Sequence, residues 1–136
     1  MSYVTEQKLR DLFYEVEKIR KNQQGGLDLP PKWVLEAATK NMKKDRTWDS
    51  FLNVLCIYYD VPPVFARVNK RISAVAHYIE AINLIETKEE IVGMRTILHE
   101  FFHHLISKRR SLVPRNTDET LADSYADACM KLLQER

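Results

Sequence analysis

Two stretches late in the chain carry one pattern twice, and that pattern constrains the fold more than any other feature. From about Lys88 to Lys108, Ile91, Met94, Leu98, Phe101, Phe102 and Leu105 recur at helical spacing. From about Thr117 to Gln134, Leu121, Ala122, Tyr125, Ala126, Cys129, Leu132 and Leu133 do the same. Each stripe has a polar pair four residues apart on its flank: His99 and His103 on the first, Glu119 and Asp123 on the second. On a wheel with His99 at zero, the first stripe centres near about 250° and His103 falls near about 40°. With Glu119 at zero, the second stripe centres near about 270° and Asp123 falls near about 40°. If the two stripes face a common core, the polar pairs can meet at its edge. Ala122 and Ala126 are small and let the helices approach closely. The same wheel turns Glu100 to about 100° and His104 to about 140°, further toward solvent, so His104 is expected at the surface.

The rest of the chain reads as more helix around a small sheet. Three glycines and five prolines in 136 residues are too few for a turn-rich sandwich or barrel. Hydrophobic residues at 45% and charged residues at 29% are an ordinary globular mix, enough for one core and one domain, 1–136. Residues 1–62 read as N-terminal helices. The first spans about Thr5 to Asn22, ahead of Gly25-Gly26. A second starts at Pro30-Pro31 with Trp33, Val34, Ala37 and Ala38 as its apolar side and a basic, solvated end from Lys40 to Arg46. A third runs from Thr47, a plausible N-cap, to Tyr59, closed by Pro62-Pro63. Residues 63–136 hold the sheet and the two patterned helices. Strands are expected at Val64–Val68, Ser73–Tyr78 and Ala81–Ile85, a three-stranded sheet between Val64 and about Glu86. The order gives an α+β fold.

Charge and cysteine usage narrow the function. Lys plus Arg is 21 against 19 for Asp plus Glu, a net +2, which is not the balance of a nucleic-acid-binding protein. The basic runs Lys40–Arg46 and Lys108–Arg110 read as solvated helix ends. No apolar run of about 18 residues is present and the N-terminus has no apolar signal region, so no membrane partner and a cytoplasmic location are expected. Cys56 and Cys129 sit in apolar runs and are expected as buried free thiols.

His99-Glu100-Phe101-Phe102-His103 is an HExxH motif. On a helix its two imidazoles stand about 40° apart in angle and about 6 Å apart in rise, and at that spacing they can hold one zinc ion. Glu100, next to the first histidine, projects beside the metal, where it can take a proton from the attacking water. Such a site needs a third protein ligand and an open fourth position. The spare histidines are His77 and His104, and His104 points about 100° away from His103. Glu119 and Asp123 flank the next helix. Glu119 is also placed for a capping box with Asn116 or for complementing the helix dipole, and Asp123 for a solvated helix surface.

HExxH followed by a helix with Glu-x-x-x-Asp resembles the gluzincin zinc metallopeptidases. Glu119-x-x-Ala122-Asp123-x-Tyr125-Ala126 is also similar to small intracellular HExxH proteins of the ImmA/IrrE type and to phage metallopeptidase-like domains. Those usually carry Asn where this chain has Asp123, which is nearer the gluzincin pattern. The segment Tyr78–Ile85 resembles the edge-strand region of these enzymes, and the likeness spans about Val64 to Leu133. It implies a zincin-like fold holding one Zn2+, with His99, His103 and Glu119 as metal ligands, Glu100 as general base and Asp123 steadying His99. The implied partner is a peptide or protein substrate. Larger members of the family add a His or Tyr for the oxyanion; here His77, Tyr78, Tyr125 and Arg115 stand in range of that role. Tyr125 is expected in the core and His77 as a satisfied strand residue. Two functions follow: a zinc-dependent endopeptidase, or a zinc-bound regulatory or protein-binding module without hydrolysis.

Overall fold

The computed structural model describes residues 28–109 and 118–135. The expected helix over 5–22 and the segment carrying Arg115 and Asn116 lie outside these residues. Helices α1 (Lys32–Asp45) and α2 (Trp48–Tyr59) come first. They are followed by β1 (Phe65–Val68), β2 (Ala76–Ile79), a 3-10 turn (Glu80–Ile82) and β3 (Leu84–Thr87). Helices α3 (Met94–Arg109) and α4 (Asp118–Gln134) complete an α+β arrangement.

Local chemistry sets the ends of the first two helices. Pro31, at φ −64° and ψ 157°, precedes the first residue of α1, where a proline has no donor to waste. The buried face of α1 is Val34, Leu35 and Ala38. Trp33, expected on that face, is instead exposed, and Leu35 fills the core. Thr47 caps α2 as anticipated: its hydroxyl accepts from the Asp49 N–H at 3.2 Å. The helix closes at Asp60, in the left-handed region at φ 56°, before Pro62 is reached. Every residue from Val54 to Tyr59 is buried, so α2 is apolar on nearly all sides and sits in the middle of the core.

The sheet is mixed, in the order β1-β3-β2, with β1 parallel and β2 antiparallel to the central β3. The second strand starts at Ala76 rather than Ser73. The third starts at Leu84 rather than Ala81, because residues 80–82 coil into a 3-10 turn ending at Asn83 with φ 50°. Ala66, Ile85 and Tyr78 stand in register on the face that packs against the helices. Arg67, Glu86 and His77 share the other face, where His77 Nε2 lies 2.6 Å from Glu86 Oε1.

The two sheet edges differ. Phe65 N–H bonds toward β3, so the backbone groups of Ala66 point outward. There the Ala66 N–H donates to Asp49 Oδ1 at 2.8 Å, and Arg67 Nη1 donates to both the Ala66 carbonyl (2.6 Å) and Asp49 Oδ2 (2.7 Å). On β2 the outward backbone belongs to Ala76 and Tyr78, since Lys88 N–H pairs with the Val75 carbonyl.

That last bond also corrects a helix start. Lys88 is spent on the sheet ladder, so α3 begins at Met94 and not near Lys88. Ile91, expected on the apolar stripe, is 92% exposed. From Met94 onward α3 is covered on two sides. Phe101 meets the Tyr59 ring of α2, and Phe102 meets the Tyr125 ring of α4. Ala122, Tyr125, Ala126 and Cys129 bring α4 into the same core. Cys56 and Cys129 are buried free thiols, and burial pushes the Cys56 thiol up to about 12. Among the described residues no helix is long and apolar enough to cross a membrane.

Candidate metal centre

The contact between α3 and α4 builds the site. Ala122 and Ala126 are fully buried, so α4 lies close against α3. Tyr125 fixes the rotation of α4: it is buried, packs on Phe102 and has its hydroxyl 2.9 Å from that of Tyr59. With that stripe inward, Glu119 and Asp123 emerge on the flank nearest His99 and His103.

The four side chains meet. Glu119 Oε1 is 2.7 Å from His103 Nε2, and its Oε2 is 3.1 Å from His99 Nε2. The carboxylate therefore spans both imidazoles, whose ring centroids are 5.1 Å apart. One ligand atom from each of the three residues lies within 4.8 Å of the others. On its other side His99 presents Nδ1 to Asp123 Oδ1 at 2.8 Å.

By their chemistry and spacing these residues could hold a cation. Corners of a tetrahedron with bonds of about 2.0–2.1 Å stand about 3.3 Å apart. The two Nε2–carboxylate separations, 2.7 and 3.1 Å to different oxygens, fall about 0.6 and about 0.2 Å short of that, and the three ligand atoms together stay within 4.8 Å. Glu119 can yield the difference, because its side chain is 78% exposed while those of His99 and His103 are 14% and 16% exposed. An ionised carboxylate accepts and does not donate, so the Nδ1–Asp123 contact requires the hydrogen on Nδ1. In the neutral ring that leaves the lone pair on Nε2, the nitrogen that a metal could take.

Two residues sit elsewhere than the wheel indicated. Glu100 is 8% exposed rather than turned toward solvent, and its Oε2 is 3.9 Å from His99 Nε2. Burial lifts its carboxyl above the ordinary carboxylate value, against the opposing pull of His99 and His103. His104 is fully buried, not at the surface. Its Nε2 donates to the Pro62 carbonyl at 2.7 Å, and the Tyr78 hydroxyl donates to its Nδ1 at 2.8 Å. A wheel that counts only apolar residues cannot place it, since α3 is covered on two sides and this imidazole is satisfied at both nitrogens. His104 thus pins β2 to α3 and has no nitrogen left for a metal.

The residues considered for an oxyanion donor are engaged otherwise. His77 pairs with Glu86, Tyr78 with His104, and Tyr125 is buried against Tyr59. Arg115 lies outside the described residues. One participant escaped sequence reasoning. Arg95, one turn before His99, donates to Asp127, one turn after Asp123, and to Asp123 itself. The signal was there: the spacing of four runs 95-99-103 on one helix and 119-123-127 on the other. No protein-family model, no curated protein and no solved structure matches this chain.

Proposed function

We propose that the chain is a zinc-dependent metallopeptidase that hydrolyses a peptide bond of an intracellular protein or peptide. The observation that carries this reading is the convergence of His99, His103 and Glu119, with Asp123 on the outer nitrogen of His99. Zinc, when bound by those three residues, supplies Lewis-acid polarisation of the scissile carbonyl. Glu100 is the general base: it takes a proton from the attacking water and returns it to the leaving amine. Its burial beside His99, with Oε2 3.9 Å from Nε2, keeps the carboxylate next to the position the metal would take. Asp123 holds His99 in the tautomer that offers Nε2. An extended substrate would add along the outer side of β2, which His104 and Tyr78 tie to the HExxH helix.

A second reading is a zinc-bound regulatory or protein-binding module. It draws support from one observation: His77, Tyr78 and Tyr125 are all committed to other partners. An oxyanion donor is worth about 10²–10³-fold in rate, so its loss would leave metal binding intact and hydrolysis feeble.

Metal analysis together with a peptide library separates the two. The purified protein should hold about one zinc per chain, released by chelator and lost in His99→Ala. Glu100→Gln should keep the zinc and the fold but lose hydrolysis, a term worth about 10²–10⁴-fold. Equal cleavage by wild type and Glu100→Gln would refute the peptidase reading. Zinc without any cleavage would favour the module, and a protein without zinc would end both.

A further inference from the structure

On the exposed side of the α3–α4 contact, two donors converge on one oxygen. Asp123 Oδ1 lies 2.8 Å from His99 Nδ1 and 3.3 Å from Arg95 Nη2. The guanidinium is itself held: Arg95 Nε is 2.6 Å from Asp127 Oδ1, and Nη2 is 3.4 Å from Asp127 Oδ2. Asp127, Arg95, Asp123 and His99 thus form an unbroken line from the helix surface to the candidate metal centre. The ion pair with Arg95 holds the Asp127 carboxyl below its ordinary value. As a plain surface ion pair this arrangement would matter little. Its position gives it more consequence. The Asp123 side chain is 53% exposed, and an exposed carboxylate is free to turn to water unless something fixes it. Arg95 grips the very oxygen that faces His99.

We infer that Arg95, anchored by Asp127, is a positioning residue: it holds the Asp123 carboxylate against Nδ1 of His99 and so keeps Nε2 available to a metal. The inference rests on the reading of His99, His103 and Glu119 as metal ligands. Electrostatics alone predicts the opposite effect of removing Arg95. A positive charge near a bound dication opposes binding, so neutralising it would tighten zinc. Positioning predicts that neutralising it loosens zinc.

Zinc affinity of wild type and Arg95→Gln, measured by competition with a chromophoric chelator, decides between them. The expected result is a loss of about 3–10-fold, smaller than the 10–100-fold typical of removing a ligand's direct partner. Adding Arg95→Gln to Asp123→Asn should cost nothing further, because the two act through one contact. Unchanged or tighter binding in Arg95→Gln would overturn the inference, as would full additivity in the double variant. A metal-free readout keeps the test independent of the zinc reading. By NMR, the His99 Nδ1–H should exchange with solvent faster in Arg95→Gln than in wild type, and equal exchange would overturn the inference. Wild type that takes up no zinc would defeat the metal reading, while the Nδ1 proton would still decide the role of Arg95.

Discussion

His104→Ala isolates the buried contact that joins the sheet to the HExxH helix. The ring is fully buried, and both its nitrogens are paired, to the Pro62 carbonyl and to the Tyr78 hydroxyl. Removing it releases two partners. Each lies at a partly buried contact from which water is not far, so each costs about 1 kcal/mol, the low end for an unsatisfied group. Emptying the ring's place in the core adds about 2 kcal/mol, again the low end for a large-to-small change. The sum, about 4 kcal/mol, is a large share of the roughly 5–15 kcal/mol that holds a domain folded. At this chain length it corresponds to a fall in Tm of about 12 °C, taking about 3 °C per kcal/mol. Urea and thermal unfolding would measure it, and zinc content of the folded variant should remain about one per chain. A loss below about 1 kcal/mol would refute the packing argument. Normal stability with loss of zinc would refute the assignment of His104 to structure and not to the metal.

Burial lowers the pKa of His104 from 6.5, so the same ring confers a pH dependence. The unfolded chain protonates first, so stability is full above about pH 6.5 and declines as pH falls toward the folded-state value. Unfolding free energies at about pH 5 and about pH 7 should differ more in wild type than in His104→Ala, and equal differences would assign the effect elsewhere. Asp123→Asn should weaken zinc binding about 10–100-fold without unfolding α4, because it removes the carboxylate facing His99 Nδ1; wild-type affinity in a chelator titration would leave Asp123 a surface residue.

The parts of the fold that local chemistry dictates were legible in the sequence. Thr47 caps α2, Pro31 precedes α1, and the β-branched texture of 64–86 becomes a three-stranded sheet. The pairing of His99 and His103 with Glu119 and Asp123 was legible too, because two stripes with equal flanks leave few ways to pack. What the sequence concealed was tertiary. Nothing local says that Lys88 will be taken by Val75, which delays α3 and leaves Ile91 in solvent. Nothing local says that His104 will find a carbonyl from Pro62 and a hydroxyl from Tyr78, 42 and 26 residues away. Glu100 was misplaced for the same reason: a one-sided wheel cannot describe a helix enclosed on two sides.

Asp49 has a consequence beyond the hydrogen bonds it makes. Its carboxylate and the Arg67 guanidinium occupy both backbone groups that Ala66 turns outward, which blocks a further strand from pairing at that point of the β1 margin. No side chain of the described residues does this for Ala76 or Tyr78. Among the described residues the two margins therefore differ, the β2 margin being the one whose outward groups no side chain takes. If β2 takes an extended peptide as proposed above, strand-to-strand pairing of two molecules would draw on the same row of amides and carbonyls, and the two events would compete.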